Sequence, residues 1–144
     1  AGAGDDTIIV DANGGTLKGG AGNDTFNVTA AVATNTTEAT SVLTTITDFA
    51  AGDMIQFKDG STAFQSAKVS LGAGVTNLDQ ALAAAIDTDL EIAWFQYGQN
   101  TYIVADDTAA DTAFSAGDTV VKLTGLVDLS ASTFDAATDT LTFA

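Results

Sequence analysis

Two stretches near the start of the chain repeat each other: Gly2-Ala3-Gly4-Asp5-Asp6-Thr7-Ile8 and Gly20-Ala21-Gly22-Asn23-Asp24-Thr25-Phe26. Their offset is 18 residues, two units of nine, and Leu17 falls midway, nine after Ile8 and nine before Phe26. A short fixed period constrains a fold more than composition does, because each unit must bury its apolar side against the next. The glycines recur where a loop needs backbone conformations that other residues resist. The Asp in sixth place adds a side-chain oxygen, and the apolar eighth place (Ile8, Leu17, Phe26) suits a narrow core. The loop between the copies, Asp11-Ala12-Asn13-Gly14-Gly15, keeps the length and loses the motif.

The nonapeptide resembles the GGxGxDxUx repeat of RTX calcium-binding proteins: the second copy matches every specified position, and the first has Ala1 where the leading Gly belongs. In that family nine residues make a turn and a short strand, eighteen complete one coil of a parallel β-roll, and Ca²⁺ sits between stacked loops. The resemblance therefore implies one Ca²⁺ between the first two loops, held by carbonyls of the Gly2, Gly4, Gly20 and Gly22 loops with Asp6 and Asp24. Six to eight oxygens are what this hard cation takes. The array then breaks off, because Val42 stands eighteen past Asp24 and Thr29–Thr45 lacks the motif.

The text that follows, TTITDFAAGDMIQF, resembles the post-repeat segment of the same family. Ile46, Phe49, Met54, Ile55 and Phe57 are strand material. Asp48 and Asp53 flank the turn, equally as metal ligands or as plain turn residues. In TNLDQALAAAI, Asn77 caps a helix, Gln80 completes a capping-box-like pair, and Leu78, Leu82 and Ile86 line its core face. IAWFQYGQNTYIVAD reads as a hairpin, Ile92–Tyr97 and Thr101–Ala105, around Gly98-Gln99-Asn100. Its aromatics, Trp94, Phe95, Tyr97 and Tyr102, read as core or cross-strand pairs before any ligand role. A further strand covers Thr119–Leu123.

A second calcium loop is conceivable in DTAADTAFSAGD, where Asp107, Asp111 and Asp118 take positions 1, 5 and 12 of an EF-hand frame. Ala109 at position 3, Thr112 at position 6 and the short Asp118 at position 12 all weaken it. Those departures, and flanks that are strands, favour an acidic solvent-facing loop.

Composition narrows the function. Acids number 19 against four lysines, Lys18, Lys58, Lys68 and Lys122, for a net charge of −15. That charge disfavours nucleic acid and anionic membranes, and it pushes a compact state apart unless cations neutralise it. All the acids but Glu38 and Glu91 are Asp, the shorter carboxylate that suits turns and oxygen-ligand sites. With no Cys and no His, disulfides, thiol nucleophiles, Ser-His-Asp triads and HExxH zinc sites are excluded. No apolar run approaches the ~20 residues of a membrane span, and no cationic signal peptide opens the chain. Since the repeat begins at once, the sequence looks like the tail of something longer.

The expected fold is all-β: a short parallel β-roll of under two coils over residues 1–34, stacked end-on against a β-rich cap with one α-helix over 35–144. The resemblance implies a non-catalytic calcium-binding module, secreted to the bacterial cell surface by type I secretion machinery and folding there on Ca²⁺. The C-terminal Asp139-Thr140-Leu141-Thr142-Phe143-Ala144 resembles the family's uncleaved secretion signal, with Thr alternating among its apolar residues. The Thr/Ala/Gly-rich, Lys-poor composition resembles surface-layer proteins and large adhesins, which self-associate into a lattice. The alternative parent is a secreted enzyme, a serralysin-type protease or a lipase, for which this region is the export tail. An enzyme in its own right, such as a glycosidase with paired carboxylates, has no pocket signature to support it.

Overall fold

The computed structural model describes residues 1–33, 42–58, 60–86, 91–107 and 113–144. The expected boundary between residues 34 and 35 touches the first gap in that description. The described residues are strand-dominated, in two mixed sheets with one helix.

The first strands are three residues long, as a nine-residue period allows: β1 (Thr7–Ile9), β2 (Gly15–Leu17) and β3 (Thr25–Asn27), then β4 (Thr44–Ile46) and β5 (Met54–Gln56). They alternate between two sheets. β1 pairs in parallel with β3, Ile8 opposite Phe26, and β3 pairs in parallel with β5, Phe26 opposite Ile55. On the other sheet Leu17 of β2 lies opposite Ile46 of β4, again in parallel. The eighth-place residues thus fall in register across each sheet.

The periodic stretch is longer than its motif. From Phe26 to Ile46 is 46 − 26 = 20 residues, nine plus an insertion of eleven, and from Ile46 to Ile55 the spacing returns to nine. The insertion hid the third rung of the first sheet; the expectation of under two coils is corrected accordingly.

The rest of the chain extends the same two sheets instead of forming a separate end-on cap. β6 (Ala63–Phe64), helix α1 (Leu78–Ala85), β7 (Glu91–Tyr97), β8 (Asn100–Ala105), β9 (Thr119–Leu123), β10 (Thr133–Asp135) and β11 (Thr140–Thr142) follow in order. The first sheet runs β1-β3-β5-β11-β10, antiparallel from β5 onward. The second runs β2-β4-β9-β8-β7-β6; β9 is parallel to β4, and β7, β8 and β9 are antiparallel neighbours. An exposed strand edge is a row of unmet hydrogen-bonding groups, and β11 and β9 cover the edges that β5 and β4 would otherwise leave.

One core lies between the sheets, with Phe26, Ile55 and Leu141 facing Ile46, Ile103 and Leu123. A second lies on the outer face of the six-stranded sheet, where Ala81, Leu82, Ala85 and Ile86 of the helical segment pack on Ala93, Phe95, Tyr102 and Val104. Residues along β7 therefore alternate between two buried layers. The helix starts as expected, Asn77 Oδ1 accepting from Gln80 N at 2.9 Å, but Gln80 Oε1 reaches back to Thr76 N at 2.8 Å. The hairpin turn is tighter than expected: Gly98 (φ 57°) and Gln99 (φ 67°) form a two-residue loop with the backbone signs of a type I′ turn. Asn100 accordingly joins β8 opposite Tyr97. Phe95 and Tyr102 face each other across the hairpin and stack at 5.4 Å. Burial and neighbouring Tyr97 together raise the Tyr102 phenol above its usual pKa. Among the described residues no helix is long and apolar enough to cross a membrane.

Candidate metal-binding loops

The repeat loops stack through their backbones before any side chain takes part. Ala21 N donates to Gly2 O at 3.0 Å and Gly4 N to Ala21 O at 2.6 Å, with a parallel bridge between Ala3 and Ala21. Such close approach demands glycine. A Cβ on Gly20, at φ +115°, would lie 1.9 Å from Gly2 O, and one on Gly22, at φ +133°, 2.5 Å from Gly4 O.

Aspartates then tie the rungs together. Asp6 N donates to Asp24 Oδ1 at 3.0 Å, and Asp24 N donates to Asp53 Oδ1 at 2.9 Å. The Asp24 and Asp53 carboxylates thus each accept the main-chain N–H of the aspartate one rung earlier. Asp24 and Asp53 are 1% and 2% exposed, so this ladder is part of the interior, and buried acids need such donors. The remaining oxygens are partly used: Asp6 Oδ2 accepts from Gly2 N at 3.1 Å and Asp53 Oδ2 from Ala50 N at 2.8 Å. Asp48 accepts from both Gly19 N and Gly20 N at 3.0 Å.

The structure therefore brings Gly2, Gly4 and Asp6 beside Gly20, Gly22 and Asp24, and places Asp48 and Asp53 against the second loop from the third rung. Asp53 is a rung in its own right. The signal for it was present as Asp53-Met54-Ile55, nine residues beyond Thr44-Thr45-Ile46.

A second acidic group lies at the open end of the β8–β9 ladder. Beyond the Ala105–Thr119 pair, Asp106, Asp107 and Asp118 each offer a carboxylate oxygen within 4.8 Å of the others. Asp118 is fully buried and Asp106 is 2% exposed, unlike the solvent-facing acids expected there. Asp118 Oδ1 accepts from Asp107 N at 3.2 Å and Oδ2 from Ser115 N at 2.7 Å. Gly117 faces the Asp107 carboxylate, where a Cβ would come within 2.0 Å of Oδ2. Lys58 Nζ meets the same oxygen at 3.1 Å. The EF-hand frame thus pairs Asp107 with Asp118 as a strand-flanked hairpin mouth. Asp111 lies outside the described residues. Asp106 was missed because the frame began one residue late; its signal is the Asp-Asp pair closing an apolar strand.

Among the described residues the hairpin mouth brings three carboxylates together, oxygen donors of the kind that hard cations take. In the repeat loops the Asp6 and Asp24 carboxylates accept main-chain N–H groups; at the hairpin mouth three carboxylates gather, and one of them, Asp107, meets Lys58. No protein-family model and no curated protein matches this chain.

Proposed function

We propose that the chain is a non-catalytic, calcium-binding module of the RTX type, built as a short parallel β-roll continued by an antiparallel cap. The observation that carries this reading is the ladder of Asp6, Asp24 and Asp53, in register with three parallel rungs. An arrangement that buries acids on Gly-rich loops in a chain of net charge −15 is self-repelling and entropically costly on its own. A bound Ca²⁺ supplies positive charge between the loops. Carbonyls of the Gly2, Gly4, Gly20 and Gly22 loops would hold it with Asp6 and Asp24; Asp48 and Asp53 order the second loop from the far side. Asp106, Asp107 and Asp118 would hold a second ion. Metal affinity of this kind is folding free energy.

A chain whose repeat part is disordered where calcium is scarce and ordered where it is plentiful fits passage through type I secretion machinery and completion of folding at the bacterial cell surface. There it serves a surface-layer or adhesin assembly. Chelator-treated protein titrated with Ca²⁺ should gain β-structure by far-UV circular dichroism, should not respond to Mg²⁺, and should lose the response in an Asp6→Ala/Asp24→Ala double variant. A β-rich spectrum indifferent to calcium would contradict the reading. Sedimentation of the calcium form then separates a lattice-forming parent, which self-associates, from an enzyme's export tail, which stays monomeric.

A further inference from the structure

The loop that keeps the period but loses the motif has its own chemistry. Asp11 holds the turn into β2: its main-chain O accepts from Gly14 N at 3.1 Å and its Oδ1 from Asn13 N at 2.9 Å. Gly14 (φ +69°) cannot carry a side chain, since a Cβ would lie 2.6 Å from both Val42 O and Leu43 O. The pairing of β2 with β4 therefore fixes glycine immediately after Asn13. Glycine is the successor that shields its own amide nitrogen least.

The other described asparagines are more committed. Asn27 Nδ2 donates to Gln56 Oε1 and its Oδ1 accepts from Thr29. Asn77 Oδ1 caps the helix, and Asn100 uses Nδ2 on Gly98 O and Oδ1 on Gly125 N. Asn23 is followed by Asp24, whose N–H is held by buried Asp53. Asn13 is exposed, and the nitrogen after it is held by one main-chain bond at an open turn.

We propose that Asn13-Gly14 is a spontaneous deamidation site of the folded protein. Gly14 N loses its proton and attacks Asn13 Cγ; the N–Cγ bond forms, the Cγ–Nδ2 bond breaks, and ammonia leaves with that proton. The product is a five-membered succinimide. One water then opens the ring. Cleavage of the bond from Gly14 N to Cγ gives aspartate, and cleavage of the bond from Gly14 N to the main-chain carbonyl carbon gives isoaspartate. The sum exchanges ammonia for water, needs no oxidant or cofactor, and adds one negative charge beside Asp11. The isoaspartate form also adds a carbon to the main chain where Gly14 presses on Val42 and Leu43, which loosens edge strand β2.

Digestion after lysine isolates Ala1–Lys18, in which Asn13 is the sole asparagine and glutamine is absent. After incubation of the folded protein in mildly alkaline buffer, this peptide should gain about 1 Da and split into two isomers. Peptides carrying the other asparagines should keep their mass, and Asn13→Gln should abolish the change. The same chain in guanidinium chloride measures the unrestrained chemistry. A folded sample that gains no mass while the unfolded one converts would overturn the proposal, as would earlier conversion at another asparagine.

Discussion

The parallel and antiparallel parts of this molecule use opposite means to hold a strand. In the parallel part each three-residue strand sends one apolar side chain between the sheets, Ile8, Phe26 or Ile55 from one sheet and Leu17 or Ile46 from the other. Order there depends on the loops, where glycines permit contact and aspartates collect main-chain N–H groups. In the antiparallel part β7 and β8 are seven and six residues long and are buried on both faces. Order there comes from apolar burial. The difference teaches that a loop whose carboxylates collect main-chain N–H groups can replace core where strands are too short to supply one.

Removing core should do the most damage and should be blind to calcium. Phe95→Ala, at a fully buried position stacked on Tyr102, should lower unfolding free energy by about 3–5 kcal/mol. Urea denaturation with and without calcium should show the same loss. Asp24→Ala strips the acceptor from Asp6 N and should cost about 1–3 kcal/mol. That loss should shrink when calcium is chelated from both proteins, because the loops it orders are then already open; an unchanged difference would dissolve the contrast between the two parts. Asn77→Ala removes the acceptor for Gln80 N and should cost about 1 kcal/mol, with faster amide exchange confined to the first helical turn.

The smallest effect is one of pH. Asp128 lies below its ordinary value of 3.8 because Ser130 donates to it from main chain and side chain. A carboxyl whose pKa is lowered by folding stabilises the fold above its unfolded value, and the contribution disappears as pH falls through the folded one. Titration followed by NMR should place the Asp128 midpoint below that of an unstructured aspartate, and Ser130→Ala should move it upward.

What could be read from the sequence follows from how local each signal is. The 18-residue register, the helix cap at Asn77 and the β7–β8 hairpin are carried by adjacent or strictly periodic residues, and the structure has them. Asp53 as a third rung carried only the nine-residue spacing from Thr44-Thr45-Ile46, because the inserted stretch between β3 and β4 moves it from 18 to 29 residues beyond Asp24. The joining of both parts into common sheets was hidden for a related reason. β11 meets β5 and β9 meets β4 across long separations, where no spacing rule applies. The acids at the hairpin mouth carried a misleading signal: their EF-hand spacing is real, yet Ala105 and Thr119 fix them as the end of a ladder. Hence Asp106 joins Asp107 and Asp118.

Hydrogen exchange read by mass spectrometry, on the same protein in calcium and in chelator, tests the central claim most directly. With calcium, peptides spanning β1, β3 and β5 should be protected alongside β7 and β8; in chelator the first group should exchange rapidly while β7 and β8 hold. Equal protection of β1, β3 and β5 in both conditions would contradict the account, because the aspartate ladder would then stand without any cation.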